Sequence, residues 1–283
     1  MHKKILTWLW MIGFAALLTA EAQAQTAAPG QIKAARVTGS VTATKDGVTI
    51  NVANGTELSQ GYVVNTAQNS SVVLVFSNGA TMNLAQETSL AIDEFTQDPF
   101  ADEISVAQLT AEPSASRTRL NLSRGELVGN VKKLNYDAGS SFEVQTPVGA
   151  AGIRGTTFRI VFRPDGTGKA FFSLTTLEGN VVLASGSVNL PTETSVPDNQ
   201  EIEVVFDVTV DAETGAVSVV IDGAPPIVVR DAAPTTLAQL AQTVQQIATV
   251  VAETVITPPR TDSPPPPPAD GAPPRTTPGD GRG

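Results

Sequence analysis

Short segments that favour β-strands, separated by turn residues, recur through most of this chain and constrain its fold more than any other feature. Apolar and polar residues alternate over 36–42 and 48–52, and residues 71–76 form a strongly β-prone run. Asp46-Gly47 and Asn78-Gly79 stand at the turns, and Asp-Gly between alternating segments is typical of a β-hairpin. The pattern predicts an all-β domain over residues 35–190, a sandwich or roll of short antiparallel strands.

The alternation continues in the second half of this domain. Residues 96–116 interrupt it and are predicted to form a loop or a short irregular excursion. No apolar period of 3.6 residues occurs before residue 230, so helices are expected to be minor there. Further strands are predicted over residues 120–134, 141–146, 156–162, 170–176 and 179–184.

Residues 191–257 form a region with its own composition, since they hold one basic residue, Arg230, against ten acidic ones. Alternation over 201–210, a turn at 211–215 and a return over 217–221 predict a β-hairpin, and 227–230 could add a strand. After Pro234, Thr235 is a plausible N-cap for a helix running to about residue 254. This region is therefore predicted to be an acidic β-hairpin followed by an amphipathic helix.

The predicted helix carries one apolar stripe, which must pack against something. We favour docking on the protein's own sheet. Self-association through the stripe is the alternative, because about three heptads are present. The side chains that would mediate it are Leu237, Leu240, Val244, Ile247 and Val251.

The two ends of the chain differ from the rest. Lys3 and Lys4 precede an apolar run over 5–20 and an Ala22-Gln23-Ala24 site, which together predict a signal peptide over residues 1–24. An uncleaved anchor is the alternative, although the run is shorter than the roughly 20 residues of a membrane span. Residues 258–283 hold ten of the 20 prolines and are predicted to be a disordered, Pro-rich tail.

Cleavage after Ala24 would remove the single histidine, His2, and the sequence contains no cysteine. Catalytic triads, thiol nucleophiles and histidine metal sites are then excluded from the mature chain. Because the signal residues together carry +1, the net charge of −10 becomes −11. Such a charge disfavours binding to nucleic acids.

Two acidic groups remain as candidate sites. Asp93-Glu94 and Asp102-Glu103 could form the carboxylate pair of a glycan hydrolase, although adjacent acids in a polar loop are usually solvated. Asp207, Asp211, Glu213 and Asp222 could bind calcium, but a plain hairpin turn explains them better. We therefore expect no catalytic, cofactor-binding or metal-binding residues, and no cofactor.

The most specific block of the sequence lies at residues 144–160. Its residues Thr146, Pro147, Gly149, Ile153, Arg154, Gly155, Thr156 and Phe158 resemble the core motif of the FecR family, Thr-Pro-x-Gly-x-x-x-hydrophobic-Arg-Gly-Thr-x-Phe. Flanking segments 122–127 and 176–181 also resemble family sequences, and the similarity extends over about residues 35–185.

This resemblance implies a periplasmic all-β domain that binds other proteins and is not an enzyme. In the best-known members it follows a cytoplasmic anti-sigma segment and one membrane span, and relays the state of an outer-membrane receptor. Here a predicted signal peptide comes first, so we expect a free-standing exported form, periplasmic or secreted, acting as an interaction or scaffold module of the cell envelope. The alternative is a sensor-relay component that acts on a membrane signalling partner.

Two roles are possible for Arg154 in the motif. Its five donors could clamp buried acceptors, or they could face a partner protein. We favour the buried clamp, for which Arg154→Ala would cost about 2–4 kcal/mol. The neighbouring Gly149, Gly152 and Gly155 are expected to adopt conformations that a β-carbon would penalise.

Overall fold

The computed structural model describes residues 27–184, 193–220, 223–252 and 254–258. The predicted signal peptide at residues 1–24 lies outside these residues, as does all but the first residue of the predicted tail at 258–283. The described part is mostly antiparallel β-structure with one helix near its C-terminal end, which confirms the predicted fold class.

Two sheets make up most of the fold, and we number their strands in chain order. The first contains, in spatial order, β4 (Val48–Asn51), β3 (Val41–Lys45), β6 (Val63–Thr66), β9 (Ser89–Gln97), β11 (Ser116–Asn130), β12 (Ser141–Thr146), β13 (Gly149–Ile153), β16 (Asn180–Ala184) and β17 (Thr194–Pro197), with β1 (Ala28–Pro29) beside the end of β9. The second contains β5 (Glu57–Leu58), β2 (Ile32–Thr38), β7 (Ser71–Phe76), β8 (Thr81–Leu84), β11, β14 (Thr157–Pro164), β15 (Lys169–Glu178), β18 (Gln200–Val210) and β20 (Val229–Asp231), with β19 (Val217–Val219) at the far end of β18.

Strand β11 belongs to both sheets. Up to Arg124 it pairs with β9 and β12, and from Gly125 onward it pairs with β8 and β14. Gly125 has a φ of +101°, and a β-carbon there would lie 2.4 Å from the Cα atom of Thr88. Only glycine fits this crossing without strain.

The hydrophobic core lies between the two sheets. Alternate residues of β7, β14, β15 and β18 point inward, as the period-two pattern predicts. The largest fully buried side chains include Phe76, Phe95, Phe158, Phe162, Phe172 and Phe206.

The acidic region pairs directly with the preceding strands. β17 pairs with β16 in the first sheet, and β18 pairs with β15 in the second. The predicted hairpin is present, with a turn between β18 and β19 at residues 211–216. Strands on both sides of residue 190 therefore share the same two sheets.

The irregular segment at 96–116 contains little regular structure. It holds the end of β9, the two-residue strand β10 (Ile104–Ser105) and a 3₁₀ turn at Val106–Gln108. β10 pairs with β21 (Val255–Ile256) near the end of the described chain.

The helix α1 (Pro234–Val251) packs on the outer face of the second sheet, as the favoured interpretation predicted. Leu237 and Val244 are half-buried, and Val244 packs in this contact. Because Leu240, Ile247 and Val251 are buried against the protein's own sheet, self-association through the stripe would require the helix to detach. The buried cluster comprises Val73, Val75, Val106, Val128, Leu240, Ile247, Val251 and Ile256.

The ends of the helix differ from those predicted. Its N-cap is Ala233 rather than Thr235, and no side chain caps the first turn. Pro234 occupies the first helical position, where its missing N–H costs nothing because that group has no intrahelical acceptor. The helix ends at Val251, three residues before the predicted end. Neither it nor any other helix of the described residues is long and apolar enough to cross a membrane.

Candidate interaction site

Thr146 closes the hairpin between β12 and β13. Thr146 and Gly149 are paired, so Pro147 and Val148 form a two-residue loop. The Thr146 hydroxyl donates to the Gly149 carbonyl at 2.9 Å and accepts the backbone N–H groups of Val148 and Gly149 at 3.2 Å each. One side chain thereby satisfies three backbone polar groups of the turn.

Thr156 stabilises the next turn from inside the protein. Its hydroxyl is buried, accepts the backbone N–H of Arg154 at 3.3 Å and donates to the carbonyl of Asn180 at 3.1 Å. The Thr156 carbonyl accepts the N–H of Val131 at 3.0 Å. Thr156 thus joins the motif to β16 and to the end of β11.

Gly155 and Gly179 allow two turns to approach each other closely. Gly155 has a φ of +65°, and a β-carbon on it would lie 3.3 Å from the Cα atom of Lys133. Gly179 has a φ of +92°, and its β-carbon would lie 3.0 Å from the Gly155 carbonyl oxygen. Both positions favour glycine for conformational and steric reasons.

Phe158 anchors the end of the motif in the core. Its side chain is fully buried. The ring lies against Gly129 on β11, where an added β-carbon would be 2.6 Å from the ring and 2.8 Å from the sulfur of Met82. Phe158 therefore acts as a packing residue.

Arg154 does not form the buried clamp predicted from the sequence. Its side chain is exposed, and it makes no side-chain hydrogen bond or ion pair within the described residues. The physical reason is that residues 149–153 form strand β13 and not a turn, with Ala151 and Ile153 facing the core. Period-two alternation then turns Arg154 outward.

The aromatic ring of Tyr136 lies next to Arg154. The guanidinium carbon is 5.8 Å from the ring centroid, within the range of a cation–π contact. The Tyr136 hydroxyl donates to the carbonyl of Ile153 at 3.1 Å, and the residue is 45% exposed. Partial burial raises the pKa of the Tyr136 phenol, while the positive charge of Arg154 lowers it and Glu112 raises it.

Glu112 holds the segment that carries Tyr136. Its carboxylate accepts the backbone N–H of Asn135 at 2.6 Å, the hydroxyl of Ser116 at 2.6 Å and the hydroxyl of Ser140. Tyr136 starts the 3₁₀ turn Tyr136–Ala138 directly after Asn135. These bonds fix the turn, and an open cleft beside it is lined by Glu112, Lys133 and Asn135.

The comparison with protein families identifies this part of the chain. Residues 62–182, which include the whole motif, match the family model described as FecR protein. This part of the chain is a FecR domain. The match confirms the family resemblance that the motif residues predicted.

Known proteins add a limited structural similarity. Two crystal structures of a "putative anti-sigma factor" from Parabacteroides distasonis ATCC 8503 resemble this chain, with identities of 13% and 12% and TM-scores of 0.40 and 0.39. Each similarity covers 64% of this chain and 64% of that chain, which is less than two thirds of its length. No curated protein matches this chain.

The acidic pairs of the FecR domain lie at separate surface positions. Asp93 and Glu94 are on β9, where Asp93 is the unpaired residue of a bulge and Glu94 forms an ion pair with Arg119 at 3.3 Å. Asp102 and Glu103 are exposed in the irregular segment. Among the described residues, no three acidic, histidine or cysteine side chains come together as a metal site requires.

Two of the candidate calcium ligands, Asp211 and Glu213, lie in the predicted hairpin turn. The Asp211 carboxylate accepts the N–H groups of Glu213 and Thr214 at 3.0 and 2.7 Å, and these bonds lower its pKa. Asp207 instead pairs with Lys169 at 2.8 Å. Asp222 lies outside the described residues.

Only one of the three motif glycines has the conformation predicted for them. Gly155 has a left-handed φ, whereas Gly149 and Gly152 lie in β13 with extended backbones. A β-carbon on Gly152 would make an ordinary contact, 3.6 Å from the Val182 carbonyl oxygen. The sequence did not identify Tyr136 and Lys133 as site residues. The available signal was that Tyr136, one of only two tyrosines in the chain, closely follows the pair Lys132-Lys133.

Proposed function

We propose that this protein is a non-enzymatic interaction module of the bacterial cell envelope, and that it contacts another envelope protein through the surface around Arg154. One observation carries the proposal. Of the eight residues that match the family motif, Arg154 alone is exposed. The others are buried or half-buried and serve the turns and the core.

The location and the absence of catalysis rest on the sequence. A predicted signal peptide supports export to the periplasm or beyond. Without that segment the chain contains no histidine and no cysteine, which removes the commonest acid–base and nucleophilic groups. Sensor-relay action on a membrane signalling partner is the alternative, and the FecR match supports it.

Site-specific photo-crosslinking in the native envelope tests this proposal. A photoreactive residue replaces Arg154 in one variant and Val48 in a control, because Val48 is 63% exposed on the edge strand β4. We expect a discrete crosslinked product at position 154 and none at position 48. No product at 154, or the same products at both positions, would contradict the proposal.

A further inference from the structure

Basic residues are concentrated in the part of the FecR domain that contains the motif. Residues 117–163 carry eight basic and three acidic side chains, although the whole chain has a net charge of −10. Arg119 pairs with Glu94, and Arg159 and Arg163 both pair with Glu126. Arg154 and Lys133 form no ion pair with any described residue, so their charge is available to a partner.

The guanidinium of Arg154 lies beside the ring of Tyr136, which is held in place by hydrogen bonds. Tyr136 is held by its bond to the Ile153 carbonyl, and its turn is held by Glu112. Contact with this fixed ring restricts the arginine while its N–H donors remain free. A restricted planar donor loses less entropy on binding a planar carboxylate, which it can hold through two parallel hydrogen bonds.

A second cation lies close by, and the carboxylate of Glu112 in the same cleft is already occupied. The backbone of Lys133 packs against Gly155, the residue after Arg154, and Lys133 is exposed. Glu112 accepts three hydrogen bonds from its own surroundings. The surface therefore presents two positive charges and an exposed aromatic ring, against one exposed carboxylate, that of Asp137, in the cleft with Lys133.

We propose that the Arg154 surface, consisting of Arg154, Tyr136 and Lys133, binds an acidic peptide segment of the partner protein. A carboxylate of that segment pairs with Arg154, and Lys133 supports a second one. This inference rests on the proposed function and specifies its partner. The net negative charge of the chain disfavours long polyanions such as nucleic acids, whereas a short acidic segment meets mainly the local positive charge.

Binding of a hexaglutamate peptide to the purified protein tests the proposal at moderate salt. We expect Arg154→Ala to weaken binding by about tenfold or more, and Arg154→Lys to restore only part of it. Arg124→Ala is the matched control, because Arg124 is exposed, forms no ion pair within the described residues and lies on a different cleft. Absence of binding, or an equal loss in the control, would overturn the proposal.

The ionisation of Tyr136 reports where the peptide binds. In a Tyr62→Phe background Tyr136 is the remaining tyrosine, so tyrosinate absorbance follows its pKa alone. Bound carboxylates should raise that pKa, because they oppose the positive charge that lowers it. An unchanged pKa with peptide bound would place the peptide elsewhere and overturn the site. The crosslinking result at position 154 is independent of this outcome, so the partner's chemistry and the existence of a partner are tested separately.

Discussion

The hydroxyl of Thr156 is the polar group on which the motif turn depends most. Thr156→Val keeps the shape of the side chain but leaves the Arg154 N–H and the Asn180 carbonyl without this partner. We expect a loss of about 1–3 kcal/mol in the free energy of unfolding. Chemical denaturation measures it, and Thr209→Val is the control, because Thr209 is exposed and its hydroxyl makes no hydrogen bond within the described residues. Equal stability of the two variants would refute this role.

Arg154, unlike Thr156, should contribute little to the stability of the domain. Because its side chain is exposed and unpaired within the described residues, Arg154→Ala should change the free energy of unfolding by less than about 1 kcal/mol. Thermal melts of wild type and variant test this expectation. A marked destabilisation would restore the architectural clamp that the sequence suggested.

The error over Arg154 has a specific origin. The spacing of the glycines at 149, 152 and 155 predicts backbone conformations that a β-carbon would penalise, and no strand is predicted over residues 149–153. Ala151 and Ile153 show the alternation of that strand, but five residues rich in glycine and alanine have little intrinsic preference for a β-strand. Pairing with β12 and β16 decides their conformation, and a single sequence does not reveal those partners.

Among the elements, β11 has the strictest conformational requirement. Gly125→Ala would place a β-carbon 2.4 Å from the Thr88 Cα atom at a positive φ. We expect a loss of about 3 kcal/mol or more. Gly47→Ala is the control, since Gly47 also has a positive φ but no atom within 4 Å, and it should cost only about 1 kcal/mol. Similar losses in both variants would show that β11 tolerates the change.

The helix α1 should contribute to stability in proportion to its burial. Leu240 is 1% exposed, so Leu240→Ala should cost about 2–5 kcal/mol. Leu237→Ala, at a half-buried position of the same stripe, should cost clearly less. Urea denaturation compares the two. If neither variant loses stability, the helix does not dock as described.

Elements with strong local signals were predicted well. β7, β12, β18 and the hairpin at Asp46-Gly47 match their patterns closely, because alternation and turn residues are local properties. The division of β11 between two sheets was not predicted, since it depends on distant partners. The helix was located correctly, but its N-cap was not, because Pro234 begins the helix and leaves Thr235 inside it.

At the scale of the whole molecule, we propose that the acidic region is not an independent domain. A chain ending at residue 190 would lose β17 and β18 and expose the edge of β15. We expect it to aggregate or to unfold at a clearly lower temperature than a chain ending at residue 258. The latter removes only the predicted tail and should melt like the full chain. Equal melting of the two truncated chains would support the boundary at 190.

Strand β11 also has a mechanical consequence. One covalent backbone runs through both sheets, so tension applied to one sheet is passed to the other along the chain itself. The motif hairpin is attached to this strand on both sides, through β12 in the first sheet and β14 in the second. A load applied at Arg154 would therefore be carried by both sheets at once. The two sheets would resist it together and would not separate one after the other.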